Sequence, residues 1–395
     1  MPDREVVVLS AVRTAIGKFG GALKDIAPTE LAAKVVCQSL QRSKLNPEMI
    51  GHVVFGNVIH TEAKDMYLSR VAAVRGNIPV KTPALTLNRL CGSGLQAILT
   101  AADSIMHGSC DAAIGGGVES MSRAPYWLPT MRWGARLNDA KAVDSLVAVL
   151  TDPFEDVHMG ITAENIAREW NISREDQDAW SVESHKRAIA AIRDGRFIDQ
   201  VIPFELKNKS GTNQFVTDES PRTDVTIESL ARLKPAFTAG GTVTPGNASS
   251  INDGAAAVVL MEKNSGGDHG LKPMARLVDY AITGVEPRIM GMGPVTAIRE
   301  LYKRTGLTTK EMDVIELNEA FAAQFLAVQR ELDLPLDRTN PNGSGISLGH
   351  PIGATGAILT VKALHELRRI GGRYAMVSMC IGGGQGIAAI FESVD

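Results

Sequence analysis

The tetrapeptide Ala97-Ile98-Leu99-Thr100 recurs letter for letter as Ala357-Ile358-Leu359-Thr360. Each copy is followed by a helix-length segment, an apolar strand and a triple glycine, Gly115-Gly116-Gly117 in the first and Gly382-Gly383-Gly384 in the second. Upstream, Leu45 has a counterpart in Leu307, so ordered landmarks repeat at a separation of about 260 residues. One tetrapeptide match carries little weight, but neighbours in the same order make a duplication. The local patterns repeat too. Val6-Val7-Val8-Leu9 reads as a strand, Leu31 to Leu40 has helical spacing, and His52 to Gly56 reads as a buried strand. Ala275 to Val278, Pro294 to Arg304 and Asp313 to Leu317 give strand, helix and strand again. The chain is therefore expected to be α/β, a pseudo-duplicated pair of βαβαβ domains. The stretch from Met121 to Ile251 interrupts the pattern and has its own helix signals, Ser173 three residues before Asp176 as a cap and Gly195 as a stop. The expected division is 1–120 with 252–272 as the first domain, 121–251 as an insert, and 273–395 as the second.

Length and charge narrow the function. A chain of 395 residues, 44% of them apolar, suits two or three packed units rather than one small binding module. With 41 basic against 44 acidic residues, net −3, no cationic excess exists to neutralise a nucleic-acid backbone, so no nucleic-acid partner is expected. The longest uncharged stretch, Ala375 to Phe391, contains Gly382, Gly383, Gly384 and Gly386 and reads as strand, turn and strand, not as a membrane span. The first residues lack a basic-then-apolar leader and Ser393-Val394-Asp395 is no peroxisomal address, so the expected location is the cytoplasm. Cys37, Cys91, Cys110 and Cys380 lack the short paired spacings of a zinc site or a disulfide framework, and no metal is expected.

Two of these cysteines stand in unusual contexts. Cys91 lies in Asn88-Arg89-Leu90-Cys91-Gly92-Ser93-Gly94, between a strand ending near Leu87 and a helix, where glycines permit a tight, open turn. At a helix N-terminus its thiolate gains from the dipole and from free N–H groups, so its pKa is expected below that of free cysteine. Moved forward by the repeat interval, Cys91 lands beside His350, in Gly349-His350-Pro351-Ile352-Gly353-Ala354-Thr355-Gly356. His350 is a candidate base, with Pro351 expected as the first helical residue. In a pseudo-twofold arrangement the two helix starts converge on one cleft. Cys380 is followed by Ile381-Gly382-Gly383-Gly384-Gln385-Gly386, a turn able to aim backbone N–H groups at an oxyanion or to serve only as a tight hairpin. Asn318, in Asn318-Glu319-Ala320-Phe321-Ala322, falls between a strand and a helix and reads on its own as an N-cap.

Taken together, Asn-Arg-Leu-Cys-Gly-Ser-Gly, Asn-Glu-Ala-Phe-Ala, Gly-His-Pro-Ile-Gly-Ala-Thr-Gly and Cys-Ile-Gly-Gly-Gly-Gln-Gly, in this order, resemble the thiolases over essentially the whole chain. Val6 to Gly17, Gly115 to Ser122, His158-Met159-Gly160 and Asn247-Ala248-Ser249 add to the likeness, which is strongest to bacterial biosynthetic acetyl-CoA acetyltransferases and β-ketothiolases. The resemblance implies a layered α/β/α/β/α core with an inserted loop domain, and a homotetramer built as a dimer of dimers. It implies Cys91 as the acyl-carrying nucleophile, His350 as acceptor of its proton, Cys380 as acid and base at the substrate α-carbon, and Asn318 as holder of a water. The N–H groups of Cys91 and Gly382 would serve the tetrahedral intermediate. His158, Arg222, Ser249, Ala320 and Phe321 would contact coenzyme A, with Lys207, Lys209, Arg232 and Lys234 as further candidates for its phosphates. No tightly bound cofactor is implied, since acetyl-CoA and coenzyme A are substrates. The activity implied is reversible condensation of two acetyl-CoA to acetoacetyl-CoA. The alternatives are a broader 3-ketoacyl-CoA thiolase and, from another class, a non-catalytic acyl-CoA or lipid binder; the presence of both thiols and the histidine speaks against the latter.

Overall fold

Two matching halves join in one mixed sheet. The computed structural model describes residues 4–208, 211–265 and 272–394, with the side chains of 207 and 208 left aside. The first half runs β1 (Val6–Arg13), β2 (Gly17–Lys18), α1 (Pro28–Ser43), β3 (Ile50–Gly56), α2 (Leu68–Arg75), β4 (Ala84–Leu87), α3 (Ser93–Met106) and β5 (Ala112–Ser120). Next come β6 (Tyr126–Trp127), β7 (Val143–Asp144), α4 (Ser145–Val149), α5 (Met159–Glu169), α6 (Arg174–Arg193), β8 (Phe204–Asn208), β9 (Gly211–Phe215) and α7 (Ile227–Ala231). β10 (Asn252–Glu262) returns to the sheet, and the second half follows as β11 (Ala275–Gly284), α8 (Gly293–Thr305), β12 (Val314–Leu317), α9 (Ala322–Leu332), α10 (Ile352–Ile370), β13 (Tyr374–Ile381) and β14 (Gln385–Ser393). None of the described helices is long and apolar enough to cross a membrane.

The strand order is β12-β13-β14-β11-β1-β10-β5-β3-β4, with β2 on β10. Read outward from the middle, β1-β10-β5-β3 and β11-β14-β13-β12 are the same motif, so the duplication in the letters is a duplication in the sheet. The halves meet through two residue pairs, Val7 with Arg276 and Val8 with Ala275. Such a short seam contributes little by itself, and the helices do the joining. The repeated tetrapeptide lies in α3 and in α10, and α10 is buried on all sides from Ile352 to Leu364, as expected of a helix with no polar face. The two helices touch backbone to backbone: a Cβ on Gly94 would stand 2.7 Å from the Ala357 nitrogen, and one on Gly356 would stand 2.4 Å from that of Leu95.

Three local expectations are corrected. The glycine triplets are not equivalent positions: Gly115 to Gly117 lie inside β5, where a Cβ on Gly117 would meet the Gly353 carbonyl oxygen at 2.2 Å. Gly382 to Gly384 form the turn between β13 and β14, with φ of +80° and +87° at Gly383 and Gly384. The first triplet admits a helix; the second turns the chain. Pro351 is the N-cap of α10 rather than its first helical residue. Asn318 caps nothing, because the N-cap of α9 is Phe321. The signals in the insert hold: Ser173 accepts a hydrogen bond from the Asp176 N–H at 3.0 Å, and Gly195 has φ of +71° beyond α6.

Gly117→Ala should therefore cost at least about 3 kcal/mol, because the atoms it meets are backbone and cannot rotate away. Urea unfolding checks this, and a midpoint equal to that of the parent would contradict the packing described.

Candidate active site

Cys91 is presented by strain. The chain leaves β4, and Leu90 adopts φ of +44°, a left-handed conformation that a leucine rarely takes. Short bonds hold the turn: the Arg89 N–H donates to Ser93 Oγ at 2.8 Å, and Ser93 Oγ–H donates to the Leu90 carbonyl at 2.7 Å. The Leu90 N–H donates to Asn88 Oδ1 at 2.8 Å. One 3₁₀ turn, Leu90 to Gly92, then leads into α3, leaving Cys91 on the wall of a cavity of about 840 Å³.

His350 lines the same cavity just before α10, and its tautomer follows from its partners. Thr355 Oγ1 donates to the Pro351 carbonyl at 2.9 Å and lies 2.6 Å from His350 Nδ1. With its only proton committed, Thr355 must accept, so Nδ1 carries the hydrogen and Nε2 keeps its lone pair. Asn318 Nδ2 lies 3.4 Å from Nε2, and Asn318 Oδ1 is buried without a partner among the described residues. The His350 N–H donates to Asn252 Oδ1 at 3.0 Å.

Gly382 also lines the cavity, and its N–H lies near enough to Cys91 to favour a thiolate there. Cys380 and Asn318 lie behind the wall, both fully buried. The Cys380 thiol is packed among Met159, Met290, Ala320 and Phe321, close enough to Cys91 that a charge on one disfavours a charge on the other.

Electrostatics reverses one expectation. Burial pushes the Cys91 thiol up to about 11, rather than below the value of free cysteine. The N–H groups of Gly382 and of Cys91 itself pull it down and a nearby Glu119 pushes it up, and desolvation outweighs them all. Burial drives His350 down to about 4 and raises Cys380 further than Cys91. At rest the three groups are neutral.

His158, Ser249, Ala320, Phe321 and Arg222 all reach the cavity. His158 caps α5 by accepting the Gly160 N–H at 3.0 Å, and it stacks on Phe237 at 4.6 Å between centroids. The Ser249 N–H donates to the Ala320 carbonyl at 2.9 Å, tying the insert to the loop before α9. Arg222 is exposed at the rim and paired with Asp224 at 2.8 Å. Arg232 and Lys234 are exposed and form no part of the wall. Lys209 and the side chain of Lys207 lie outside the described residues.

Sequence reasoning missed Glu119. Its oxygens accept from Asn57 Nδ2 at 3.0 Å and from the N–H groups of Val58 at 3.1 Å, Ile59 at 3.0 Å and Gly353 at 2.8 Å. Pro351 offers α10 no side-chain cap, and Glu119, from the other half, supplies one. Its only signal was its place in Gly115 to Ser122, a segment already singled out.

A duplicated α/β core with a cysteine and a histidine on one deep cavity defines a class, the acyl-transferring enzymes of the thiolase fold. The crystal structure of human mitochondrial 3-ketoacyl-CoA thiolase superposes with a TM-score of 0.97 at 45% identity, covering 99% of both chains. That of the Bacillus anthracis acetyl-CoA acetyltransferase gives 0.97 at 44%, again over 99% of both. The chain belongs to the thiolase family: residues 6–264 match the thiolase N-terminal domain and residues 271–393 the thiolase C-terminal domain. It is 60% identical to beta-ketothiolase BktB of Cupriavidus necator, over 99% of this chain and 100% of that one. It is 46% identical to the acetyl-CoA acetyltransferase of Pseudomonas aeruginosa, over 98% of each. The resemblance read in the motifs is thus a family membership, and the protein is an acyltransferase.

A histidine held neutral by burial opposes folding in acid. The unfolded chain binds a proton near pH 6.5, whereas the folded chain waits until about 4, so stability falls as pH drops through that window. Between pH 7.5 and 4.5 His350 should account for about 2 to 3 kcal/mol of the loss. Urea titrations of the parent and of His350→Asn at both pH values measure it, and equal losses in the two proteins would refute it.

Proposed function

We propose that the protein catalyses reversible Claisen condensation of two acetyl-CoA molecules to acetoacetyl-CoA and coenzyme A, through an acyl group carried on Cys91. The observation that carries this reading is the unprotonated Nε2 of His350, its tautomer fixed by Thr355, on the cavity wall shared with Cys91. Because the resting pair is neutral, activation is a proton transfer: Cys91 Sγ gives its proton to His350 Nε2 as it attacks the thioester carbon. The oxyanion meets the N–H groups of Cys91 and Gly382. As the carbon–sulfur bond to coenzyme A breaks, Cys380 gives its proton to the departing sulfur and becomes the thiolate that removes the α-proton of the second acetyl-CoA. The enolate oxygen faces the His350 imidazolium and a water held by Asn318. The enolate carbon attacks the acyl group, and Cys91 leaves with the proton returned by His350. These steps need no metal and no resident cofactor.

Phe321, Ser249, His158 and, at the rim, Arg222 line the same largely apolar cavity as Cys91, a lining that suits pantetheine and, where Arg222 exchanges Asp224 for it, phosphate. Relatives named for acetyl-CoA and for 3-ketoacyl-CoA stand at similar identity, 46% and 45%, so identity does not rank the acetyl reading against thiolysis of longer chains. Thiolysis rates across a 3-ketoacyl-CoA series rank them.

Two exposed apolar surfaces support a homotetramer arranged as a dimer of dimers. One is the open edge of β4, beside Met66, Tyr67 and Val80, and the other is the arm carrying Trp133 and Leu137, each 85% exposed. The cytoplasm is the proposed place of action.

Cys91→Ser should lower condensation by about four orders of magnitude and abolish acylation by radiolabelled acetyl-CoA. Cys380→Ser should still label at Cys91 yet fail to condense. Turnover near that of the parent in either variant would remove the role assigned to that thiol.

Arg222→Ala should raise the KM for acetyl-CoA about fivefold with a smaller change in kcat, as expected for a rim cation that meets a phosphate. An unchanged KM in steady-state assays would take Arg222 out of the site.

A further inference from the structure

A second cavity, of about 720 Å³, shares no wall residue with the first. It lies at the far end of α10, where His365 and Arg368 are separated from His350 by about 25 Å of helix. Leu9, Ser10 and Ala11 of β1 form part of its floor, and its walls carry Arg42, Lys44, Lys272, Arg368 and Arg369 against one carboxylate, Asp199.

These cations come from three separate segments: the end of α1, the start of the described chain before β11, and the end of α10. Folding has brought like charges together, which costs free energy unless something compensates. Arg369 is compensated, pairing with Glu366 at 2.6 Å. Arg42 donates to the backbone carbonyl of Asp199 rather than to its carboxylate. Arg368, Lys44 and Lys272 have no acidic partner among the described residues. Helix C-termini favour cations, and that accounts for Arg42 and Arg368. It does not account for Lys44, which stands past the end of α1 in a left-handed cap, or for Lys272, which belongs to no helix. Nor does it make a concavity. His365 feels the same field: after burial, Arg42 and Arg13 are among the influences that push its pKa down, with Asp199 opposing them. Its Nε2–H is committed to the Ala11 carbonyl at 2.9 Å, which fixes the ring as part of the wall.

We infer that this cavity is a second binding site, distinct from the catalytic one, for a small oligophosphate anion held between Arg368 of α10, Lys44 past α1 and Lys272. A solvent-open concavity with exposed cations from three segments around it suits a compact multivalent anion better than an extended surface. Bound there, the anion supplies the missing counter-charge and links the two halves at the end remote from the catalytic residues.

Isothermal titration calorimetry with sodium tripolyphosphate, at fixed ionic strength and with saturating coenzyme A to occupy the catalytic cavity, tests this on the full-length protein. One saturable site per chain is expected. Arg368→Glu and Lys272→Glu should each weaken it about tenfold. Lys303→Glu, which reverses an exposed cation in the last turn of α8, should leave it unchanged and so controls for charge at a helix end. Acetoacetyl-CoA thiolysis should be the same in all three variants, which also shows that they fold. The inference is overturned by absence of saturable heat at millimolar tripolyphosphate, by wild-type affinity in both cavity variants, by equal weakening in Lys303→Glu, or by sulfate binding as tightly as tripolyphosphate.

Discussion

Everything at the catalytic cavity depends on how closely α3 can approach α10. Gly94, Gly117, Gly353 and Gly356 let two helix backbones and a strand come within contact of one another, with no side chain between. Each helix begins beside one reactive group, Cys91 for α3 and His350 for α10, so the distance between helix axes sets the distance between sulfur and imidazole. A methyl group at Gly117 or Gly356 would meet the Gly353 carbonyl oxygen at 2.2 Å or the Leu95 nitrogen at 2.4 Å, backbone atoms that cannot rotate away, so the elements would have to part. The surrounding apolar packing stabilises the halves, but the glycines set their register.

The same burial that makes this contact dry decides the charge state of the site. Desolvation holds Cys91, His350 and Cys380 in their neutral forms. Glu119 works in the same direction. Burial raises its carboxyl to about 8, yet its four partners are all N–H donors, an arrangement that only the ionised carboxylate fully satisfies. A negative charge fixed near Cys91 disfavours a second one on the sulfur. The thiol is therefore not ionised at rest, and the proposed proton transfer to His350 couples its ionisation to attack on the acyl group. An exposed low-pKa cysteine would be reactive toward any electrophile.

Much of this was legible in the letters because the chemistry sits in short glycine-rich strings. The repeat, the strand and helix order, and the strings around Cys91, His350 and Cys380 are local facts, and the family follows from their order. What the sequence hid are distances. Glu119 and Gly353 are 234 positions apart, and Asn252 and His350 are 98 apart. No periodicity announces such pairs. The lowered thiol pKa was misjudged for a related reason: a helix N-terminus can be seen in sequence, whereas the depth at which it is buried cannot. Asn318 was read as a cap because it lies between a strand and a helix, but the chain extends three residues further before α9 begins.

The two glycine triplets show what duplication kept and what it released. In the first half the triplet lies within β5, where absent side chains make room for the helix of the other half. In the second half the corresponding strand, β13, carries Ala375, Met376 and Val377 in its interior, and its triplet has moved to the end, where it turns the chain and leaves an N–H facing Cys91. Helix contact is needed once, because a single pair of helices meets at the pseudo-twofold axis, so only one strand has to be stripped of side chains. Freed from that demand, the other strand end supplies a thiol and a donor. The asymmetry of the site, with one sulfur at the cavity wall and another buried behind it, arises where the second copy no longer had to pack like the first.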